Sequence, residues 1–230
     1  MSNCDLYESG ACKLERGFAG NLLEIHVTIT PINTSDIENF SRACADLRVK
    51  PLIINLSNGM PVQPMTCSMV VGTFLDAKRQ AELIQVGLKK SGFTVNRIKI
   101  EASPQHEMLK SNWSGPICYF ECHIKLLLPN ADDVGRLAQL CKAHDVHLSR
   151  NALKTDELGA SERFVTIRRC ASSIDVFKVL TNSVADMLRD KGYRILKSVI
   201  EVCVYDDNEL IDEYESGRNK NRTTSVSVVA

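Results

Sequence analysis

The sequence predicts an α+β fold made by tandem duplication, and two internal echoes carry that expectation. Glu24-Ile25-His26-Val27-Thr28 returns as Glu121-Cys122-His123-Ile124-Lys125. Lys90-Ser91-Gly92-Phe93, leading to Ile100-Glu101, returns as Asp190-Lys191-Gly192-Tyr193, leading to Ile200-Glu201. A spacing of about a hundred residues is too long for a solenoid repeat and suits a small domain. Two linked copies would bring equivalent residues toward a common axis, so the echo also suggests where a site would lie.

In the first copy, residues 22–31 alternate and are rich in branched side chains, the pattern of a strand. Ser35 stands three residues before Glu38, a capping-box spacing, and Ile37, Phe40, Cys44 and Leu47 then recur at helical intervals. Residues 51–57 read as a second strand, Asn58-Gly59-Met60-Pro61 as a turn, and residues 65–73 as a third strand. Ala77, Ala81, Ile84 and Leu88 predict a helix that Gly92 ends in the left-handed region, and residues 93–102 read as the closing strand. The second copy follows the same order. A strand over 117–129 precedes a helix carrying Val134, Leu137, Ala138 and Cys141. Strands near 146–153 and 162–169, a helix carrying Phe177, Leu180, Val184 and Leu188, and a strand over 193–205 complete it.

The order β-α-β-β-α-β is the split, ferredoxin-like arrangement. The expected architecture is therefore a pseudo-twofold, two-lobed domain. Its first repeat spans 21–103, a linker 104–116 and its second repeat 117–206. Residues 1–20 are expected to be a flexible head and 207–230 a mobile tail, with Thr224–Val228 able to add a short edge strand.

Twenty-eight basic residues balance twenty-eight acidic ones, which removes any general attraction to nucleic acid or an anionic membrane. No apolar run is long enough to cross a bilayer, and the first twenty residues lack the pattern of a secretory signal. Nine cysteines, an odd number falling partly inside regular elements, read as reduced core thiols. The expectation is a cytoplasmic monomer or homodimer whose partner is an anionic small molecule.

Successive strand side chains face opposite sides of a sheet. Leu23, Ile25 and Val27 share one face of the first strand, and Glu24, His26 and Thr28 the other. Cys122 and Ile124 likewise oppose Glu121, His123 and Lys125. The polar faces gather Arg97, Lys99 and Glu101 from the fourth strand, Thr166 and Arg168 from the seventh, and Lys197 and Glu201 from the eighth. Ser68 is placed where Thr166 recurs. His26 and His123 are the candidate catalytic pair, because imidazole is the side chain most easily poised near neutral pH. Thr28, Arg97, Lys99, Lys125, Arg168 and Lys197 are suited to holding an anionic group such as phosphate. Glu24 and Glu121 are suited to orienting the imidazoles or holding a divalent cation, and Glu101, Thr166 and Glu201 complete the candidate ligand-binding set. The C-x2-H-x2-H spacing of Cys141, His144 and His147 lacks a fourth ligand nearby, so no metal centre is assigned.

His26-Val27-Thr28-Ile29 resembles the H-x-T-x signature of two-histidine phosphoesterases, although Lys125 stands where that family wants threonine or serine. The Glu-x-His-x-Lys run with Phe164–Arg169 is similar to the acid-and-base lining of triphosphate tunnel enzymes, which use Glu-x-Glu-x-Lys. Three functions follow as expectations. The first is binding, with hydrolysis or transfer, of a phosphorylated small molecule or nucleotide in a cleft between repeats. The second is ligand binding or regulation without chemistry. The third, single-stranded RNA binding, wants exposed aromatics at the sheet centre, where Glu24 and His26 stand instead.

Overall fold

The computed structural model describes residues 21–56, 62–110, 113–129, 132–153 and 161–211. Eight strands form in chain order: β1 (Leu22–Ile29), β2 (Lys50–Leu56), β3 (Gln63–Val71), β4 (Val95–Ala102), β5 (Tyr119–Leu128), β6 (His147–Asn151), β7 (Ser161–Arg169) and β8 (Arg194–Asp206). Between them lie α1 (Ile37–Asp46), α2 (Phe74–Lys90), α3 (Glu107–Lys110), α4 (Asp132–Ala143) and α5 (Ile174–Asp190).

Local chemistry sets the helix ends. Thr73 and Asp76 form a reciprocal capping box at the start of α2, and the Ser173 hydroxyl accepts from the Val176 amide at the start of α5. Gly92 and Gly192, at φ +89° and +82°, turn the chain just past the ends of α2 and α5. The capping box expected from Ser35 and Glu38 does not form: a 3-10 turn over Thr34–Asp36 leads into α1, and Asp36 makes no side-chain cap.

The strands close into one antiparallel barrel in the order β1-β3-β2-β6-β7-β5-β8-β4. This overturns the expected tandem pair of ferredoxin-like units in a two-lobed domain. The outer edges of two open sheets would be left unpaired in that arrangement. Here β2 pairs with β6 through Ile54↔Asn151, Asn55↔Arg150 and Leu56↔Ser149. On the other side β4 pairs with β8, from Lys99↔Asp206 to Ala102↔Val202. Backbone hydrogen bonding satisfies both edges at once, and closure removes the exposed donors and acceptors an open sheet would carry.

Closure also fixes the two faces. Leu23, Ile25, Val27 and Ile29 are all but fully buried against Ala77, Ala81, Ile84 and Leu88 of α2 and Phe40 of α1. Cys122, Ile124 and Leu126 lie in the same core with Leu137 of α4 and Phe177 and Leu188 of α5. Burying these branched and aromatic side chains, at about 1.5–3 kcal/mol each, holds the long helices on the outside of the ring. The alternate residues point inward.

Between β4 and β5 the chain carries α3, and His106 is only 2% exposed. Burial lowers its pKa. Trp113 packs edge-on against Phe74 with ring centroids 5.3 Å apart. Past β8, Asp207 accepts from the Ile98 amide at 2.7 Å and Asn208 donates to the Asn96 carbonyl at 2.8 Å. The predicted head 1–20, the turn at Asn58–Pro61 and tail residues 212–230 lie outside the described residues. Among the described residues, no helix is long and apolar enough to cross a membrane.

Candidate functional site

Every residue assigned from the sequence to the catalytic pair or to ligand binding lines one cavity of about 880 Å³. Seven Lys and Arg side chains and four glutamates contribute to its wall. The strand register places these groups in layers. Glu24 is directly opposite Glu101 across β1 and β4, and Glu121 is directly opposite Glu201 across β5 and β8. Like charges so placed repel.

One imidazole answers each carboxylate pair. His26 Nε2 lies 3.3 Å from Glu24 Oε1 and 3.3 Å from Glu101 Oε2. His123 Nε2 lies 3.6 Å from Glu121 Oε2 and 3.3 Å from Glu201 Oε2. The other ring nitrogens are also engaged, His26 Nδ1 with the Thr66 carbonyl at 3.3 Å and His123 Nδ1 with Thr166 Oγ1 at 2.9 Å. Burial disfavours a charged His26, but Glu101 and Glu24 outweigh it and raise the imidazole to about 9. Glu24, half-buried, is held down at about 2 by His26 against the cost of its burial. His123 is likewise raised well above its ordinary value, burial being outweighed by Glu121 and Glu201. His26 is therefore an imidazolium ion at neutral pH, and His123 is shifted in the same direction.

A cation bridges the two clusters. Lys99 Nζ is 2.9 Å from Glu101 Oε1 and 2.7 Å from Glu121 Oε2. Arg168 reaches Glu121 Oε1 at 2.6 Å and lies over the Tyr119 ring. Glu121 stays well below the usual carboxylate range because Arg168 and Lys99 overcome its burial. Glu201 goes the other way: burial and the nearby Glu101 raise it. His26 and His123 thus belong to one connected network through Glu101, Lys99 and Glu121.

The network corrects several expectations. The phosphoesterase-like reading is overturned, because the histidines sit inside a closed barrel with their Nε2 atoms held by carboxylates rather than facing a shared reacting bond. Arg97 is committed elsewhere: its Nε donates to Asp206 Oδ1 at 2.9 Å, and the Tyr119 hydroxyl donates to Asp206 Oδ2 at 2.6 Å. Lys125 is paired with Glu162 at 2.6 Å and sits directly opposite Lys197. Thr28 is buried, and Thr166 serves His123. Ser68 does not match Thr166: the register sets Cys67 opposite His26 and Thr166 opposite His123, while Ser68 is opposite Ile25. The spacing of Cys141, His144 and His147 dissolves, since Cys141 is in the core and His147 lines the cavity.

Three participants escaped the sequence reading. Asp206 fell at the border of the predicted tail. Lys50 stands on β2 and lines the cavity, but its strand was read from residue 51. Cys67 donates to Glu24 Oε1 at 3.0 Å. Burial and Glu24 raise its thiol well above the ordinary value. The alternation Met65, Cys67, Met69 against Glu24, His26 and Thr28 was the signal that could have found it.

No protein-family model matches the sequence, and no curated protein matches it. Among solved structures, a candidate glycine cleavage system transcriptional repressor is similar over 78% of this chain and 96% of its own, with 8% identity and a TM-score of 0.29. A likeness that slight carries no argument about this chain.

Proposed function

We propose that the barrel binds a small anionic molecule, of the phosphorylated-metabolite or nucleotide class, without transforming it. The gathering of lysine and arginine side chains on the wall of a half-open cavity carries this reading. Its volume falls within the range of small-molecule sites, about 300–1,000 Å³. Lys50 has no ion-pair partner among the described residues, and an anion would supply one. A general base needs a free lone pair. Both ring nitrogens of each histidine are engaged, and the carboxylates beside them raise both imidazoles above their ordinary range, which favours binding over turnover.

The test is a thermal-shift series with inorganic phosphate, phosphosugars and nucleotides, followed by calorimetry and an assay for released phosphate. A melting temperature that climbs with the concentration of one compound, with no product formed, is the expected result. No shift at millimolar concentration with any of them would overturn the binding reading. Phosphate release lost on His26→Ala would overturn its non-catalytic part.

A further inference from the structure

The geometry points to a second site on the same wall: Glu24, His26 and Cys67, with Glu101 as fourth donor, form a binding site for a thiophilic divalent cation of the zinc class. This goes beyond anion binding and does not depend on it.

Donor identity is the first support. The Glu24 carboxylate, a His26 ring nitrogen and the Cys67 sulfur can place one ligand atom each within 4.8 Å of one another. Carboxylates alone would suit a hard cation or none. A thiol together with an imidazole selects zinc and its neighbours.

Strand geometry is the second. His26 and Cys67 are direct cross-strand partners on β1 and β3. Glu24 lies two residues before His26 on the same face, and Glu101 is its direct partner on β4. Adjacent hydrogen-bonded strands therefore bring three donors together, with Glu101 of β4 reaching the same His26 nitrogen at 3.3 Å and no loop involved.

The third support is the orientation of the imidazole. His26 Nδ1 is satisfied by the Thr66 carbonyl at 3.3 Å, which directs Nε2 toward Glu24 and Glu101. A backbone acceptor on the far nitrogen is the usual outer-shell partner of a metal-bound histidine. Glu101 adds a further sign. It is 1% exposed and in ion contact with Lys99 and His26, yet neither of its oxygens makes a hydrogen bond of good geometry.

The cluster around His123 supplies an internal contrast. Thr166 takes the place corresponding to Cys67, and its hydroxyl is spent on His123 Nδ1. Lys99 and Arg168 already occupy the Glu121 carboxylate. That cluster offers no thiol and no unclaimed oxygen on Glu121. Binding at the first cluster displaces two protons, one from the Cys67 thiol and one from His26 Nε2. The dication replaces the imidazolium charge that now lies between Glu24 and Glu101.

The experiment is a cobalt(II) titration of the full chain, followed by displacement with zinc(II). Wild type is expected to show d–d bands and a near-ultraviolet thiolate-to-cobalt band that zinc abolishes. Cys67→Ser should remove the thiolate band and weaken zinc binding by more than the roughly 10–100-fold typical of losing an outer-shell partner. Cys170→Ser, which removes an exposed thiol outside the cavity, should leave both unchanged. Zinc should also protect Cys67 of the wild-type protein from alkylation, read by peptide mass spectrometry, which needs no variant to fold. Absence of the band in wild type, its persistence in Cys67→Ser, or unprotected alkylation of Cys67 at saturating zinc would each overturn the site. Phosphate-induced thermal shifts measured without metal report on the anion reading separately.

Discussion

Lys99 of β4 and Glu121 of β5 meet at 2.7 Å inside the barrel, although a loop and a short helix separate them in the chain. The contact stitches the first four strands to the last four through side chains, beside the backbone seam of β4 and β8. Glu121 is 1% exposed and also receives Arg168. Removing one partner from a buried network leaves uncompensated charge, at about 3–5 kcal/mol. Glu121→Gln is expected to lose stability in that range by urea denaturation. A loss below about 1 kcal/mol would show that water already screens the network.

His26 gives stability a definite pH dependence. Its pKa is raised from 6.5 to about 9 on folding, so the folded state binds the proton more tightly than the unfolded chain. The contribution is complete below about pH 6.5 and disappears as pH rises through about 9, on the order of 3 kcal/mol in all. Glu24 acts oppositely: its depressed pKa contributes above the ordinary carboxylate range, and that contribution is lost as pH falls toward about 2. Urea midpoints should decline from pH 6.5 to 9.5 in wild type. The slope should flatten in His26→Gln.

Lys50 is the residue whose loss should affect ligand and leave the fold alone. It lines the cavity and has no ion-pair partner among the described residues. Lys50→Ala should keep the melting temperature of the unliganded protein within about 2 °C, the scale of a surface change of ±0.5 kcal/mol. The same change should cut the affinity for the anion found by thermal shift at least fivefold, about 1 kcal/mol. Calorimetry on both proteins decides it.

The β2–β6 seam should be the first part of the ring to open. It is held by three register pairs, with Asn151 Oδ1 accepting from the Leu153 amide and more weakly from Ile53. By contrast, β5 is paired on both sides from Phe120 to Leu127. Hydrogen exchange should release the Ala152 amide, which donates to Ile53, well before the amides of Cys122 and Ile124. A bound anion reaching Lys50 on β2 should slow the seam.

The alternation of each strand was legible before any coordinates, because burying one face forces apolar and polar residues to take turns. Glu24, His26 and Glu121, His123 could be assigned to a common side on that ground alone. Closure was not legible. It depends on backbone groups at Ile54, Asn55 and Leu56 finding those of Ser149, Arg150 and Asn151, and side-chain periodicity says nothing about which edges meet. The charge state of the histidines was also hidden, since it follows from Glu101 and Glu201 arriving from strands far along the sequence. Cys67 was missed because a cysteine in a strand is ordinarily core, and Asp206 because acidic residues near a polar terminus read as solvated.

A ring of strands with every edge engaged offers nothing for a foreign peptide to extend. Any macromolecule that recognises this chain through its described residues must therefore grip the outer helices, where Leu83 of α2 and Val179 of α5 stand 65% and 71% exposed, or read the openings of the lumen.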